Sequence, residues 1–251
     1  RHCGNNYGNL VLSFTVKRDK NFGRKMVEKI KEMVTAPSPL QDSVFEFVPK
    51  DELEFGKIIE KADSLFHQEK FKEAEEEYKK AYNIAKDSKK GKLIGLSLLG
   101  IGAAKGSQGN YKEAIEIFKS SLKYEKEIKD NEAIARIYFN LGYCYQFDDN
   151  LKEAIKSYNM AITLNPNYAE AYINRGLAYY KKGEIEKAID DFNKAIELNP
   201  NFAPAMALIG RAYHKKGDKE KARYWYNKAL EKKEYLTEEQ INLILNWLKE
   251  L

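Results

Sequence analysis

Small and aromatic residues recur along the second half of the chain at a fixed interval. Gly142, Gly176 and Gly210 lie 34 residues apart, and Ala154, Ala188 and Ala222 keep the same spacing, as do Ala161, Ala195 and Ala229. Three independent columns with one period mark an internal repeat. The segments KKGE (181–184), KKGD (215–218) and SQGN (107–110) each place a glycine where a left-handed residue closes a helix, so each repeat reads as two antiparallel helices around a tight turn. Asn-Pro at 165–166 and 199–200 separates one repeat from the next, because proline disfavours helix in the residue before it. The glycine at offset 8 and the alanine at offset 20 predict where paired helices approach closely, with aromatics at offsets 11 and 24 filling the space beside them.

Segment 169–202 contains Tyr172, Gly176, Tyr179, Ala188, Phe192, Ala195 and Pro200. This set resembles the tetratricopeptide repeat. Segment 135–168 repeats it with Tyr138, Leu141, Gly142, Tyr145, Ala154, Tyr158, Ala161 and Pro166, and segment 203–236 with Gly210, Tyr213, Ala222, Tyr226 and Ala229, although Glu234 stands where proline is usual. Gly102, Ala114 and Phe118 place a copy at 95–134, and Ala62, Leu65, Ala74, Tyr78 and Ala81 place one at 55–94. These two copies are longer than the rest, and the extra residues after the last consensus alanine predict second helices lengthened by one to two turns. The resemblance implies an all-α helix-turn-helix superhelix of five stacked repeats over residues 51–236.

Residues 237–251 open with Thr237 and Gln240 at capping-box spacing and continue as an amphipathic helix expected to cover the last repeat. Its apolar stripe is wide. Ile241, Ile244, Leu245 and Leu248 form one seam, and Leu243, Trp247 and Leu251 a second beside it, so that Leu243 and Trp247 either pack internally or form a second interface toward a partner or another copy. Residues 1–50 lack the repeat pattern. Alternation over Leu10–Val16, an apolar face at Phe22, Met26, Val27, Ile30, Met33 and Val34, and the run Ser43–Val48 predict a small strand-helix-strand α+β extension or the remnant of a larger domain. Asp51 with Glu54 reads as the capped start of the first repeat helix.

Composition narrows the function classes. With 43% apolar and 32% charged residues over 251 positions, a buried core is affordable and wholesale disorder is excluded. The net charge of +5 is spread over closely alternating signs, which argues against a dedicated nucleic-acid binder. No apolar run reaches the ~18 residues of a transmembrane helix, so a membrane partner is not expected. Cys3 and Cys144 form no disulfide or zinc spacing, and the chain reads as cytoplasmic. It opens with Arg1 rather than Met, which reads as a removed segment or a fragment. High Lys and Glu with few glutamines fits a thermophile.

The run Gly100–Ser107 invites comparison with phosphate-binding loops, but the order is Lys105-Gly106-Ser107 rather than Gly-Lys-Ser, and the glycines fall within a predicted helix. His2, His67 and His214 have no metal-ligand spacing, Cys144 reads as a small core residue, and no catalytic pair stands out, so no cofactor, metal or enzymatic role is expected. The resemblance places function in the concave groove lined by first helices. Carried onto this chain, it assigns groove positions to Arg136, Phe139, Asn140, Tyr143, Phe147, Asn174, Leu177, Tyr180, Lys181, Arg211 and His214, with Lys215 adding to a basic C-terminal end. Asn140 and Asn174 share the offset at which relatives hold a peptide backbone through an amide that both donates and accepts. The lysine and asparagine of the carboxylate clamp known in some relatives are absent. The expected function is a non-enzymatic protein-interaction scaffold that binds a peptide or helical segment of a protein partner. A regulatory module of an enzyme whose catalytic part preceded Arg1, and a self-associating structural protein, are the alternatives.

Overall fold

A computed structural model describes residues 50–251, and every regular element among them is helical. The expected strand-helix-strand extension lies outside the described residues. Two compact units are distinguished, over residues 50–144 and 145–251.

The first unit contains α1 (Lys50–His67), α2 (Phe71–Asp87), α3 (Gly91–Ser107), α4 (Tyr111–Leu122), the four-residue α5 (Glu125–Ile128) and most of α6 (Asn131–Phe147). Its core joins Phe55, Ile59 and Ala62 of α1 to Ala74, Tyr78, Ala81 and Ala85 of α2 and to Leu93, Ile94, Ile101 and Ala104 of α3. α1 includes Lys50, so it begins upstream of the cap expected at Asp51. The expected lengthening holds for α2, with 17 residues against 14 in α7 (Leu151–Leu164) of the other unit. It does not hold for α4. That helix stops after 12 residues, and its surplus folds back as α5. The break coincides with a contact to α3: the Ser121 hydroxyl donates to the Gly95 carbonyl at 2.7 Å, and Gly95, lacking a side chain, lets Ile128 pack against it.

The second unit comprises α7, α8 (Ala169–Lys182), α9 (Ile185–Leu198), α10 (Ala203–Lys216), α11 (Lys219–Leu230), a 3-10 turn (Lys233–Tyr235) and α12 (Glu238–Lys249). Phe192 and Tyr226, both fully buried, lie against Gly176 and Gly210, where an added Cβ would meet the ring at 2.7 and 2.6 Å. The repeated glycine is therefore the socket for the aromatic at offset 24. Paired helices are joined by left-handed residues: Gly109, Gly183 and Gly217 as the sequence indicates, and Glu69 and Asp149 in the same role without glycine. At α12 the capping box forms, with Thr237 Oγ1 accepting from the Gln240 amide at 3.2 Å and Gln240 Oε1 accepting from the Thr237 amide at 2.9 Å.

Candidate functional site

In the second unit the first helices α8 and α10 present the residues assigned to a groove. Asn174 is only 2% exposed, and its Nδ2 donates to the Glu170 carbonyl at 2.8 Å, so the amide turns back onto its own helix. Leu177 is buried beside it. Tyr180 is 9% exposed and lies beneath Lys215, whose Nζ stands 4.4 Å from the ring centroid and donates to the Tyr180 carbonyl at 3.2 Å. Lys181 is exposed, and Phe147, at the end of α6, is 37% exposed.

The basic end is less charged than composition indicates. Arg211 NH1 donates to Glu250 Oε2 at 2.8 Å, and its guanidinium rests 5.2 Å from the Trp247 ring centroid. The same NH1 lies 3.2 Å from His214 Nδ1. Burial, reinforced by the Arg211 charge, holds the His214 imidazole below its ordinary value of 6.5, which favours its neutral form. Lys181 and Lys215 are left as the outward cations of this group.

Trp247 is 4% exposed and packs against Tyr226 with ring centroids 5.8 Å apart, while Leu243 is partly buried against the same core. A second interface through this pair would require α12 to lift from the fifth repeat.

In the first unit Arg136 and Asn140 are half-buried and Phe139 is buried. Tyr143 stands edge-on to Tyr111, centroids 6.5 Å apart, and burial pushes its phenol far above the ordinary range. The Tyr78 hydroxyl donates to Asp63 Oδ1 at 2.5 Å. A separate cavity of about 500 Å³ is lined in part by Glu52, Lys90, Lys92, Lys126, Glu127 and Lys129, and Lys90 pairs with Glu52 there at 2.5 Å.

Gly100, Gly102 and Gly106 lie inside α3 and receive Tyr78, Phe118 and Cys144 respectively. Burial pushes the Cys144 thiol up to about 12, which removes its nucleophilic thiolate at neutral pH. Among the described residues no group of three or more His, Cys, Asp or Glu is arranged to hold a metal ion, and no helix is long and apolar enough to cross a membrane.

Sequence reasoning missed the polar network around Arg175. Arg175 grips the buried Asp191 through two bonds of 2.6 and 2.9 Å and reaches Asn159 at 2.7 Å, tying α7, α8 and α9 together. Burial raises the Asp191 carboxyl, and Arg175 opposes that rise. The available signal was an acid at an otherwise inward position of α9.

Models of the tetratricopeptide repeat match residues 57–124, 149–183, 169–202 and 192–224, together more than half of the chain. The chain belongs to the tetratricopeptide repeat family. Among solved tetratricopeptide-like structures, one of MamA is 33% identical with a TM-score of 0.57, covering 69% of this chain and 94% of that one. A second MamA structure is 31% identical with a TM-score of 0.58, covering 74% and 93%. YrrB, a TPR protein with an unusual peptide-binding site, shares the fold at 21% identity, with a TM-score of 0.57 and coverage of 92% and 98%. A comparison with curated protein sequences gives no match.

Proposed function

We propose that this tetratricopeptide protein is a non-enzymatic interaction scaffold that holds a peptide or helical segment of a partner protein against its first helices. Membership of the repeat family carries this reading, and the peptide-binding site of YrrB, which shares the fold, supports it. Phe147 supplies an accessible apolar contact, and Tyr180 with Lys215 supplies a rigid ring overlain by a cation. With Arg211 engaged by Glu250, acidic character in the ligand is read by Lys181 and Lys215 rather than by Arg211 and His214.

A library of immobilised peptides with apolar anchors and graded acidity tests the proposal. Peptides selected by the unmodified protein should bind Phe147→Ala and Lys181→Glu more weakly, each by about 1–2 kcal/mol, while far-UV circular dichroism is unchanged. Unchanged affinity in both variants would place the ligand elsewhere.

A further inference from the structure

Within the second unit each first helix is overlain by the second helix that follows it, through Phe192 on Gly176 and Tyr226 on Gly210. α12 follows the fifth repeat and packs on its two helices. Its Ile244 and Trp247 are buried against α10 and α11, with Trp247 touching both Arg211 and Tyr226. Among the described residues no helix overlies its other side. At 100° per residue, Ile241 and Leu245 lie within about 40° of each other and to one side of Ile244. Neither belongs to the apolar core of the unit, and Leu245 is 41% exposed. Leu248, one turn on, is half-buried against that core and borders the seam. The accessible apolar seam of this helix is thus the Ile241–Leu245 side, rather than the Leu243–Trp247 pair that the sequence brought forward.

We propose that this seam docks on the same seam of a second copy of the chain, the two α12 helices lying antiparallel about a two-fold axis. The occupant follows from the charges at the helix ends. Glu238 precedes the seam and Lys249 follows it; both are exposed, and neither forms an ion pair among the described residues. An antiparallel pair sets Glu238 of one copy beside Lys249 of the other at both ends, whereas a parallel pair would set like charges together. Opposed helix dipoles favour the same orientation. A two-fold axis midway between residues 241 and 245 brings Ile241 of each copy beside Leu245 of the other, the self-complementarity that such a contact demands. The helix is only about 18 Å long, so the buried area falls below that of a standard interface and the dimer is weak.

Sedimentation of the intact chain from about 10 µM to 1 mM tests this. The mass should rise toward twice the monomer value across that range. Leu245→Glu should remain monomeric throughout with an unchanged melting profile. Glu238→Lys should weaken association at least about threefold by facing Lys249 of the other copy, and the double change Glu238→Lys with Lys249→Glu should restore it. Should Leu245→Glu fail to fold, the charge exchange decides alone, with restored association upholding the proposal and an unresponsive dimer overturning it. A chain that stays monomeric at 1 mM, or one whose dimer ignores both Leu245→Glu and Glu238→Lys, also overturns it.

Discussion

Arg211 and Glu250, 39 positions apart, meet at 2.8 Å and hold the end of α12 on the last repeat. The arginine side chain is 22% exposed and the glutamate 51%, so solvent screens the pair and its own contribution is about 0.5 kcal/mol. Stacking of the guanidinium on Trp247 adds a similar amount. Arg211→Met should therefore lower the stability of the second unit by about 1 kcal/mol, and Glu250→Gln by about half of that. Denaturant unfolding at low and high salt checks this, since only the ion-pair part should shrink with salt.

The glycine sockets should be among the least replaceable positions. A methyl group at Gly176 or Gly210 would press on a fully buried ring and on the backbone carbonyl of Ala188 or Ala222. Gly176→Ala and Gly210→Ala should each cost about 1–3 kcal/mol, despite the better helix propensity of alanine. Thermal unfolding reads this directly, and an increase in stability would mean that the ring shifts freely.

The turn residues make opposite predictions at equivalent places. Glu69 adopts φ 61° and Gly183 φ 83°, and a side chain on Gly183 would meet nothing within 4 Å. Glu69→Gly should relieve backbone strain and stabilise by about 0.5–1 kcal/mol, whereas Gly183→Ala should destabilise by about 1 kcal/mol with no steric contribution. Chemical denaturation of the two variants in parallel checks the sign of each.

His214 introduces a pH dependence of defined direction. Its folded value lies below the unfolded value near 6.5, so the unfolded chain binds the proton more readily. Its contribution is fully present above pH 6.5 and is lost as pH falls through that value toward the folded one. The carboxylates of Glu75, Glu77, Glu184 and Asp218 are lowered by lysine partners and, for Asp218, first by the Lys221 amide; burial opposes the lowering and is the largest single influence at Glu75. They act in the same direction but only below about pH 4.5. His214→Gln should flatten the stability profile between pH 7 and 5.5 and leave the acid limb intact. An imidazole that titrates above 6.5 by NMR would contradict the assignment.

The periodic part of the fold was legible because its determinants are local or recur in register. The turns at Gly109, Gly183 and Gly217 and the Thr237–Gln240 cap follow from residues at most four positions apart. Glu69 was not legible as a left-handed residue, since glutamate rarely takes that conformation, and Asp149 gave only the weak signal of a residue type that takes it now and then. The break between α4 and α5 was hidden for another reason. It coincides with Ser121 reaching the Gly95 carbonyl across 26 positions. At the candidate site the offsets located side chains but not their commitments. Asn174 spends a donor on Glu170, and Arg211 is claimed by a glutamate near the end of the chain.

The backbone entering α8 at Tyr168, φ −81° and ψ 80°, is nearly that entering α10 at Phe202, φ −79° and ψ 72°. The residues leaving α7 and α9 match as closely, with Asn165 at −136° and 91° and Asn199 at −141° and 91°. Excising residues 169–202 would thus join two ends that already share one geometry, and duplicating them would create no turn the chain does not already contain. Length is the quantity this architecture leaves adjustable, in steps of one repeat, so the surface that the repeats present can change over generations without any single contact being redesigned.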